Sequence, residues 1–184
     1  MRLKKKSNEV YVADEPIVAL TQSEMDLLKQ SSGVSPMKRS RICAHRQGSD
    51  LLHEMLIVLE RDTYIRPHKH LAKSESFHII EGAVDVIIFD DAGAVADVIE
   101  LGEYRSGRSF YYRLADPLFH TLIIRSERVV FHETTNGPFR KEDTIFAPWS
   151  PEDADAGAIA DFTKSAGESV ARFLASRRAE SIQT

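Results

Sequence analysis

One stretch of the chain decides the fold: RPHKHLAKSESFHIIEG, residues 66–82. It holds two histidines, His68 and His70, one residue apart, and then a glutamate, Glu75. Side chains two apart on a β-strand point to the same face, so His68 and His70 can look into one cavity. A later apolar run contains His120. If Glu75 and His120 fold beside the histidine pair, three imidazoles and one carboxylate meet.

Such a set of side chains suits a divalent transition metal. Neutral imidazoles and a carboxylate bind zinc, iron, manganese, nickel or cobalt. Four protein ligands on a six-coordinate ion leave two positions for water or substrate, which allows Lewis-acid or redox chemistry. We therefore predict one metal ion bound by His68, His70, Glu75 and His120. The alternative is a metal-free protein with exposed loop histidines, and a His120 that points away from the others would favour it.

The chain around this stretch has the pattern of short strands. Glu81 and Gly82 predict a tight hairpin, and no helix-period segment lies between the strands to build a parallel sheet. The pattern predicts an all-β sandwich or barrel of about eight strands. They are expected near residues 41–46, 52–60, 76–80, 83–89, 95–101, 109–114, 119–125 and 128–134.

The N-terminal region predicts a short helix. Thr21 and Glu24 match a capping box, so a helix should begin there and run to about residue 30. Two apolar clusters before it, residues 10–12 and 17–20, are candidate edge strands. We assign residues 1–35 to this extension.

The C-terminal region predicts a second helix. Apolar residues recur near the helical period from Ile159 to Leu174, and the resulting stripe either packs on the chain's own sheets or pairs with a partner chain. We place the β-domain at residues 36–135, and an ordered loop with this helix at residues 136–184.

Composition excludes several classes of protein. The 184 residues carry a net charge of -4, so no large basic surface invites nucleic acid. No apolar run approaches the roughly 20 residues of a membrane span, and no secretory signal follows the basic start. The single cysteine, Cys43, rules out an internal disulfide and fits a reducing cytoplasm. We expect a cytoplasmic protein with a small-molecule ligand.

Two residues before the histidine pair are candidates for the same site. Alternation places Tyr64 and Arg66 on the face of His68 and His70. Arg66 can hold a carboxylate or phosphate in a bidentate contact, or it is a surface residue at a strand end. Tyr64 can move a proton or contact a ligand, or it is a packed tyrosine with a satisfied hydroxyl.

Three further positions are open. Glu133 is a candidate base if its strand face is interior, and ordinary surface if the register is shifted. His53 can line the pocket and contact substrate, or it is a satisfied core histidine. Cys43 and His45 share a strand face as a nucleophile pair would, but simple packing is favoured. His78 and His132 should face away from the site.

The spacing of His68, His70, Glu75 and Gly82 resembles the first motif of the cupin superfamily, whose fold is a double-stranded β-helix or jelly-roll barrel. In cupins the two histidines and the glutamate bind metal, and a histidine of the second motif completes the set. His120 is similar to that histidine by position.

The sequence departs from both cupin motifs at turns. The glycine that opens the first motif is Asp62 here, and in the turn before His120 the usual proline is Ala115 and the usual glycine is Pro117. The asparagine that closes the second motif is Ile124. These departures leave the ligand positions unchanged.

A narrower resemblance is to cupin-fold metalloproteins of the WbuC type, named after a gene of bacterial O-antigen polysaccharide clusters. It covers roughly residues 30–155 and rests on segments spread along the chain. They are residues 41–45, 64–70, 74–76, 89–93, 119–121, 132–133, 137–139 and 146–152.

This resemblance implies a fold and a metal more than a reaction. By association it implies a sugar or nucleotide-sugar substrate, and a metal-dependent isomerase or epimerase, or an iron-dependent oxygenase. The alternative is a non-catalytic sensor or binding module with a structural metal. The resemblance also implies a homodimer, with the loop around Trp149 and the C-terminal helix as candidate contacts.

Overall fold

The computed structural model describes residues 2–182 and consists mainly of β-strands with two α-helices. The helices are α1 (Gln22–Val34) and α2 (Ala156–Ile182). The strands are β1 (Leu3–Lys5), β2 (Val10–Ala13), β3 (Arg39–Cys43), β4 (Leu52–Glu60), β5 (His68–His70), β6 (Glu75–Glu81), β7 (Ala83–Phe89), β8 (Val95–Gly102), β9 (Tyr111–Leu114), β10 (Phe119–Ile124), β11 (Arg128–Asn136) and β12 (Thr144–Phe146).

These strands form two sheets. The seven-stranded sheet has the order β1-β2-β3-β4-β11-β6-β9, and the five-stranded sheet has the order β12-β5-β10-β7-β8. All the named pairings are antiparallel except the pairing of β2 with β3. Each sheet keeps two edge strands, so the prediction of a sandwich is confirmed and the sheets do not close into a barrel.

The two sheets enclose the main core between their inner faces. Met55, Ile57 and Leu59 of β4 contribute to it from one sheet, and Val84 and Val86 of β7 from the other. These side chains alternate along their strands, as expected for one buried face.

Each of the same two strands is buried on its other face as well, because a helix covers it. Leu56 and Val58 of β4 pack with Leu28 of α1. Ile87 and Phe89 of β7 belong to a third cluster with α2. Coverage on both sides explains why β4 and β7 read as nearly continuous apolar runs. The layers are thus α1, seven-stranded sheet, five-stranded sheet and α2.

Two expectations about the chain path are wrong. Residues 17–20 form no strand. Glu81 and Gly82 do not form a hairpin, because β6 and β7 belong to different sheets. Gly82 has a φ of 81°, and the chain turns there from one sheet into the other. A hairpin within one sheet and a turn between two sheets both show a glycine between two apolar runs. Only the strands with which each run pairs distinguish the two arrangements.

Helix α1 begins as the capping box predicts. The carboxylate of Glu24 accepts a hydrogen bond from the backbone N–H of Thr21, at 2.8 Å. The helix runs to Val34, further than the predicted residue 30.

Helix α2 packs on the chain's own five-stranded sheet, one of the two predicted alternatives. Val170 is fully buried there, and Phe162 and Phe173 pack beside it. Trp149 lies near Phe89, with ring centroids 5.0 Å apart, so its loop also packs against the chain's own five-stranded sheet. In residues 2–182 no helix combines the length and apolarity that crossing a bilayer requires.

Candidate metal centre and its cavity

Three histidines meet on the inner face of the five-stranded sheet. His68 and His70 lie two apart on β5, and His120 of β10 is the direct cross-strand partner of His68. The candidate ligand nitrogens of the three rings lie within 4.8 Å of one another. Alternation on β5 and antiparallel pairing with β10 are therefore enough to gather the imidazoles.

The δ nitrogen of each ring is already engaged. Nδ1 of His68 donates to the carbonyl of Arg66 at 2.8 Å, and Nδ1 of His120 donates to the carbonyl of Leu118 at 2.9 Å. A carbonyl can only accept, so the proton of each neutral ring sits on Nδ1 and the lone pair on Nε2. Nδ1 of His70 lies 3.2 Å from the hydroxyl of Thr144. Such contacts fix the ring orientation and leave Nε2 as the donor to a metal.

Glu75 reaches this cluster from the opposite sheet, where it begins β6. Its Oε1 lies 3.1 Å from Nε2 of His120, and its Oε2 lies 3.5 Å from Nε2 of His70. The side chain is buried, and Oε1 has no well-aligned hydrogen bond in the described part of the chain. A buried carboxylate oxygen without a donor, facing convergent imidazole nitrogens, fits a metal ligand.

The electrostatics favour the ligating forms of His68 and Glu75, and they favour the protonated ring of His120, whose extra proton a bound metal would replace. Burial, followed by the charge of His120, lowers the pKa of His68 to about 4, so its ring is neutral. Burial would raise the pKa of Glu75, but the contacts from His120 and His70 outweigh it and lower that pKa. Burial would likewise lower the pKa of His120, but the Glu75 carboxylate outweighs it and raises that pKa. Glu75 is therefore ionised beside its imidazole neighbours.

The cluster lies in a cavity of about 520 Å³. Its wall is largely apolar and comes from both sheets, with Met55, Ile57, Phe77, Leu122 and Phe131 among its residues. Many polar and charged side chains also line it, among them the three histidines, Glu75 and Arg41, and convergent polar groups in a partly apolar cleft are typical of a small-molecule site.

Glu133 and His53 both line this cavity. Burial, followed by the charge of Glu75, raises the pKa of Glu133 to about 8, so this carboxyl is protonated at neutral pH. His53 is buried and stacks on His45, with ring centroids 4.0 Å apart. Nε2 of His53 has no hydrogen-bond partner in residues 2–182. Cys43 is buried in the same wall, and burial raises the pKa of its thiol.

Tyr64 and Arg66 are not placed with the histidines. The hydroxyl of Tyr64 donates to the carbonyl of Pro151 at 3.0 Å, and Nε of Arg66 donates to Ser150 at 3.2 Å. It is Ile65 that lines the cavity. The expected shared face is thus wrong, because residues 63–67 form no strand and alternation cannot be extended back through Pro67.

Sequence reasoning missed three residues of the site. Thr144 contacts His70 from β12, a strand that was not predicted. Arg39 and Arg41 line the cavity from β3. Their signal was available, since the alternation that places Cys43 on the inner face of β3 also places Arg39 and Arg41 there. His78 and His132 pair on the outer face of their strands, as expected.

Comparison with known proteins gives a partial family match. A family model described as a domain of unknown function, DUF6016, matches residues 20–101, which is less than half of the chain. The match contains His68, His70 and Glu75 but ends before His120. A search of curated proteins gives no match. The narrower WbuC-type resemblance is not confirmed by these comparisons.

Several solved structures are similar to part of the chain. A protein from Shewanella oneidensis aligns at 11% identity over 58% of this chain and 72% of its own, with a TM-score of 0.47. Oxalate decarboxylase from Bacillus subtilis aligns at 19% identity over 59% of this chain but only 27% of its own, with a TM-score of 0.43. KdgF from Halomonas sp. aligns at 14% identity over 59% of this chain and 86% of its own, with a TM-score of 0.44.

Proposed function

We propose that His68, His70, His120 and Glu75 bind one divalent transition metal ion, and that the protein is a metal-dependent enzyme acting on a small polar molecule. One observation carries this proposal. Three imidazoles with engaged δ nitrogens turn their Nε2 atoms toward one another beside a buried carboxylate, at the wall of a 520 Å³ cavity. A purely structural polar cluster needs no cavity of that size.

The metal, when bound, would supply Lewis-acid polarisation of a carbonyl or hydroxyl oxygen, or redox chemistry if it is iron. The chain's own residues would then divide the remaining tasks. The apolar wall around Phe77 and Phe131 would contact the carbon atoms of the ligand and limit the water around it.

Glu133 is our candidate for proton transfer. It lines the same cavity as the histidines, and its raised pKa of about 8 leaves it protonated at neutral pH. A carboxyl group whose pKa lies near the working pH can donate a proton to a bound molecule and take one back. We do not assign Tyr64 a part in this step, because its hydroxyl donates to Pro151 and burial raises its pKa to about 12.

The substrate class is supported by less than the metal site is. A sugar or nucleotide-sugar is proposed only through the resemblance to WbuC-type proteins, and so is an isomerase, epimerase or oxygenase reaction. The second candidate function is a sensor or binding module that holds a ligand at the metal without converting it. The accessible cavity favours a bound ligand in both cases.

The first experiment measures the metal content of protein purified without added metal, by elemental analysis. We expect about one equivalent of metal per chain in the wild type, and loss of the metal in His70→Ala and Glu75→Gln. His132→Ala is the matched control, because His132 lies on the outer face of β11. Absence of metal in the wild type, with no uptake of zinc, iron, manganese, nickel or cobalt on reconstitution, would overturn the proposal.

The second experiment separates enzyme from binding module. Metal-loaded wild type and Glu133→Gln are incubated with a mixture of small polar metabolites, and the mixture is analysed by mass spectrometry. Consumption of one compound by the wild type, much reduced in a Glu133→Gln protein that keeps its metal, supports the enzyme. A compound that is bound by both and recovered unchanged supports the sensor.

A further inference from the structure

The inner face of β3 carries two arginines toward the cavity. Along this strand Ser40 and Ile42 point outward, where the hydroxyl of Ser40 donates to the carbonyl of Leu28 in α1 at 2.7 Å. Strand alternation therefore places Arg39 and Arg41 on the inner face, where both line the 520 Å³ cavity, Arg39 half-buried and Arg41 exposed.

The guanidinium of Arg41 forms no ion pair within residues 2–182, although its charge acts on the nearby Glu133 carboxyl. Elsewhere the arginines near buried acids are paired: Arg108 and Arg125 both contact Asp85, at 2.9 and 2.6 Å. For Arg41, the thiol of Cys43 is the side-chain partner found in residues 2–182. A guanidinium offers five N–H donors in a planar fork, so most of the donors of Arg41 remain available to a ligand.

The acidic groups of the cavity do not neutralise this arginine. Glu9 lines the cavity near β3, but its carboxylate accepts from the hydroxyl of Ser35 at 3.2 Å, and no ion pair joins it to Arg39 or Arg41 in the described part of the chain. Glu133 faces Arg41 from β11, and Glu75 faces the histidines. The end of the cavity at β3 therefore holds two guanidinium groups that form no ion pair within residues 2–182, with Glu9 and Glu133 as the acids nearby.

The register of the seven-stranded sheet gives the distance between this end and the histidines. Arg41 of β3 pairs with Ile57 of β4. Four residues away on β4, His53 pairs with Thr135 of β11, and Thr135 pairs in turn with Glu75 of β6. Arg41 thus lies three strands and four residues from Glu75, which is about 19 Å between Cα atoms at regular strand spacing. That separation leaves room between the two polar ends for a molecule of several carbons.

We propose that Arg41, assisted by Arg39, binds the carboxylate of a small organic acid whose other end carries a hydroxyl or carbonyl oxygen and reaches the histidine cluster. The fork of Arg41 matches a carboxylate in a bidentate contact. The apolar wall between the two ends suits the carbon chain of such an acid. This inference deepens the proposed function. It rests on that function only for the metal that the hydroxyl or carbonyl end of the ligand would contact.

The test uses 5-hydroxypentanoate as probe, with 1,5-pentanediol as its neutral counterpart, and isothermal titration calorimetry on protein of known metal content. We expect the wild type to bind the acid and not the diol at millimolar concentrations. Arg41→Gln should weaken binding of the acid by about tenfold or more, and Arg41→Lys by less, because lysine keeps the charge but not the fork.

The matched control is Arg113→Gln, because Arg113 lies on the outer face of β9 and should not affect binding. The metal content of Arg41→Gln should equal that of the wild type, and its melting temperature verifies folding. Equal affinity of wild type and Arg41→Gln, equal binding of acid and diol, or failure of 5-hydroxypentanoate and its four- and six-carbon homologues to bind would each overturn the proposal.

Inorganic phosphate is the competing probe. Tighter binding of phosphate than of the acids, lost in Arg41→Gln, would overturn the carboxylate assignment. The test is also independent of the metal. If the wild type holds no metal, the proposed function fails, but the difference between Arg41→Gln and wild type in binding the acid remains measurable.

Discussion

His68 and His120 lie directly opposite each other on neighbouring antiparallel strands, with ring centroids 4.5 Å apart. The candidate metal centre is thus a product of strand pairing between β5 and β10. A loop site could form its ligand set locally, but this one exists only when the five-stranded sheet is folded. Metal binding should therefore be coupled to folding of that sheet.

The contact between Thr144 and His70 predicts a change in metal affinity. Thr144→Val removes the hydroxyl that lies 3.2 Å from Nδ1 of His70 but keeps the shape of the side chain. We expect metal affinity to fall by about tenfold, because the imidazole loses the group that fixes its orientation. Competition with a chelating dye measures this affinity.

Thr134→Val is the control for that experiment, since Thr134 pairs with Ser76 on the outer face of β11. The same loss in both variants would show that the threonine contact has no particular role.

From the raised pKa of Glu133 we predict that the stability of the protein depends on pH. Its pKa is about 8 in the folded protein, against an ordinary value of 4.5. Below pH 4.5 the carboxyl is protonated in both states; between 4.5 and 8 only the folded state keeps the proton, so its contribution to stability is lost as pH rises. Glu133→Gln removes this titration. Between pH 5 and 8 the free energy of unfolding of the variant should therefore rise relative to that of the wild type, and at pH 7 this difference should exceed its value at pH 5 by about 2 kcal/mol.

The experiment is urea denaturation at several pH values on chelator-treated protein, because a bound cation would add a charge beside Glu133. Glu75 and His120 titrate in both proteins, and because their charges act on Glu133, the difference reports the coupled titration of this group of side chains. A stability difference that stays constant from pH 5 to 8 would contradict the prediction.

Local patterns predicted much of this fold. The strands at residues 52–60 and 83–89 have the predicted bounds. Helices cover their outer faces, so both runs are strongly apolar in sequence and their ends are easily recognised. The inward direction of His68 and His70 follows from alternation alone.

What the sequence did not predict depends on non-local pairing. The arginine-lined end of the cavity requires β3 to lie beside β4 and beyond it β11, and no local pattern specifies that order. Arg66 was misplaced for a local reason, because Pro67 interrupts the strand geometry on which the alternation depended. The sheet change at Gly82 again needed the partners of both strands.

Gly82 and Gly167 predict opposite effects of the same substitution. At Gly82, with φ of 81°, an added Cβ would lie 2.3 Å from the carbonyl oxygen of Arg128, so Gly82→Ala should destabilise the protein by about 2 kcal/mol or more. At Gly167, inside α2, a Cβ meets no atom within 4 Å. Gly167→Ala should stabilise by up to about 1 kcal/mol, because alanine is the better helix former. Chemical denaturation of the two variants side by side measures both signs, and a loss of stability in Gly167→Ala would contradict the second.

The docking of α2 predicts the effect of a core substitution in that helix. Val170 is fully buried against the five-stranded sheet, in the cluster that contains Ile87 and Val98. Val170→Ala removes two methyl groups from this contact and should destabilise the protein by about 2 kcal/mol, through lost apolar burial and the cavity left behind. Lys164→Ala, at an exposed position of the same helix, should change stability by less than about 0.5 kcal/mol. Equal stability of Val170→Ala and wild type in urea denaturation would mean that α2 does not pack on its own sheet in solution.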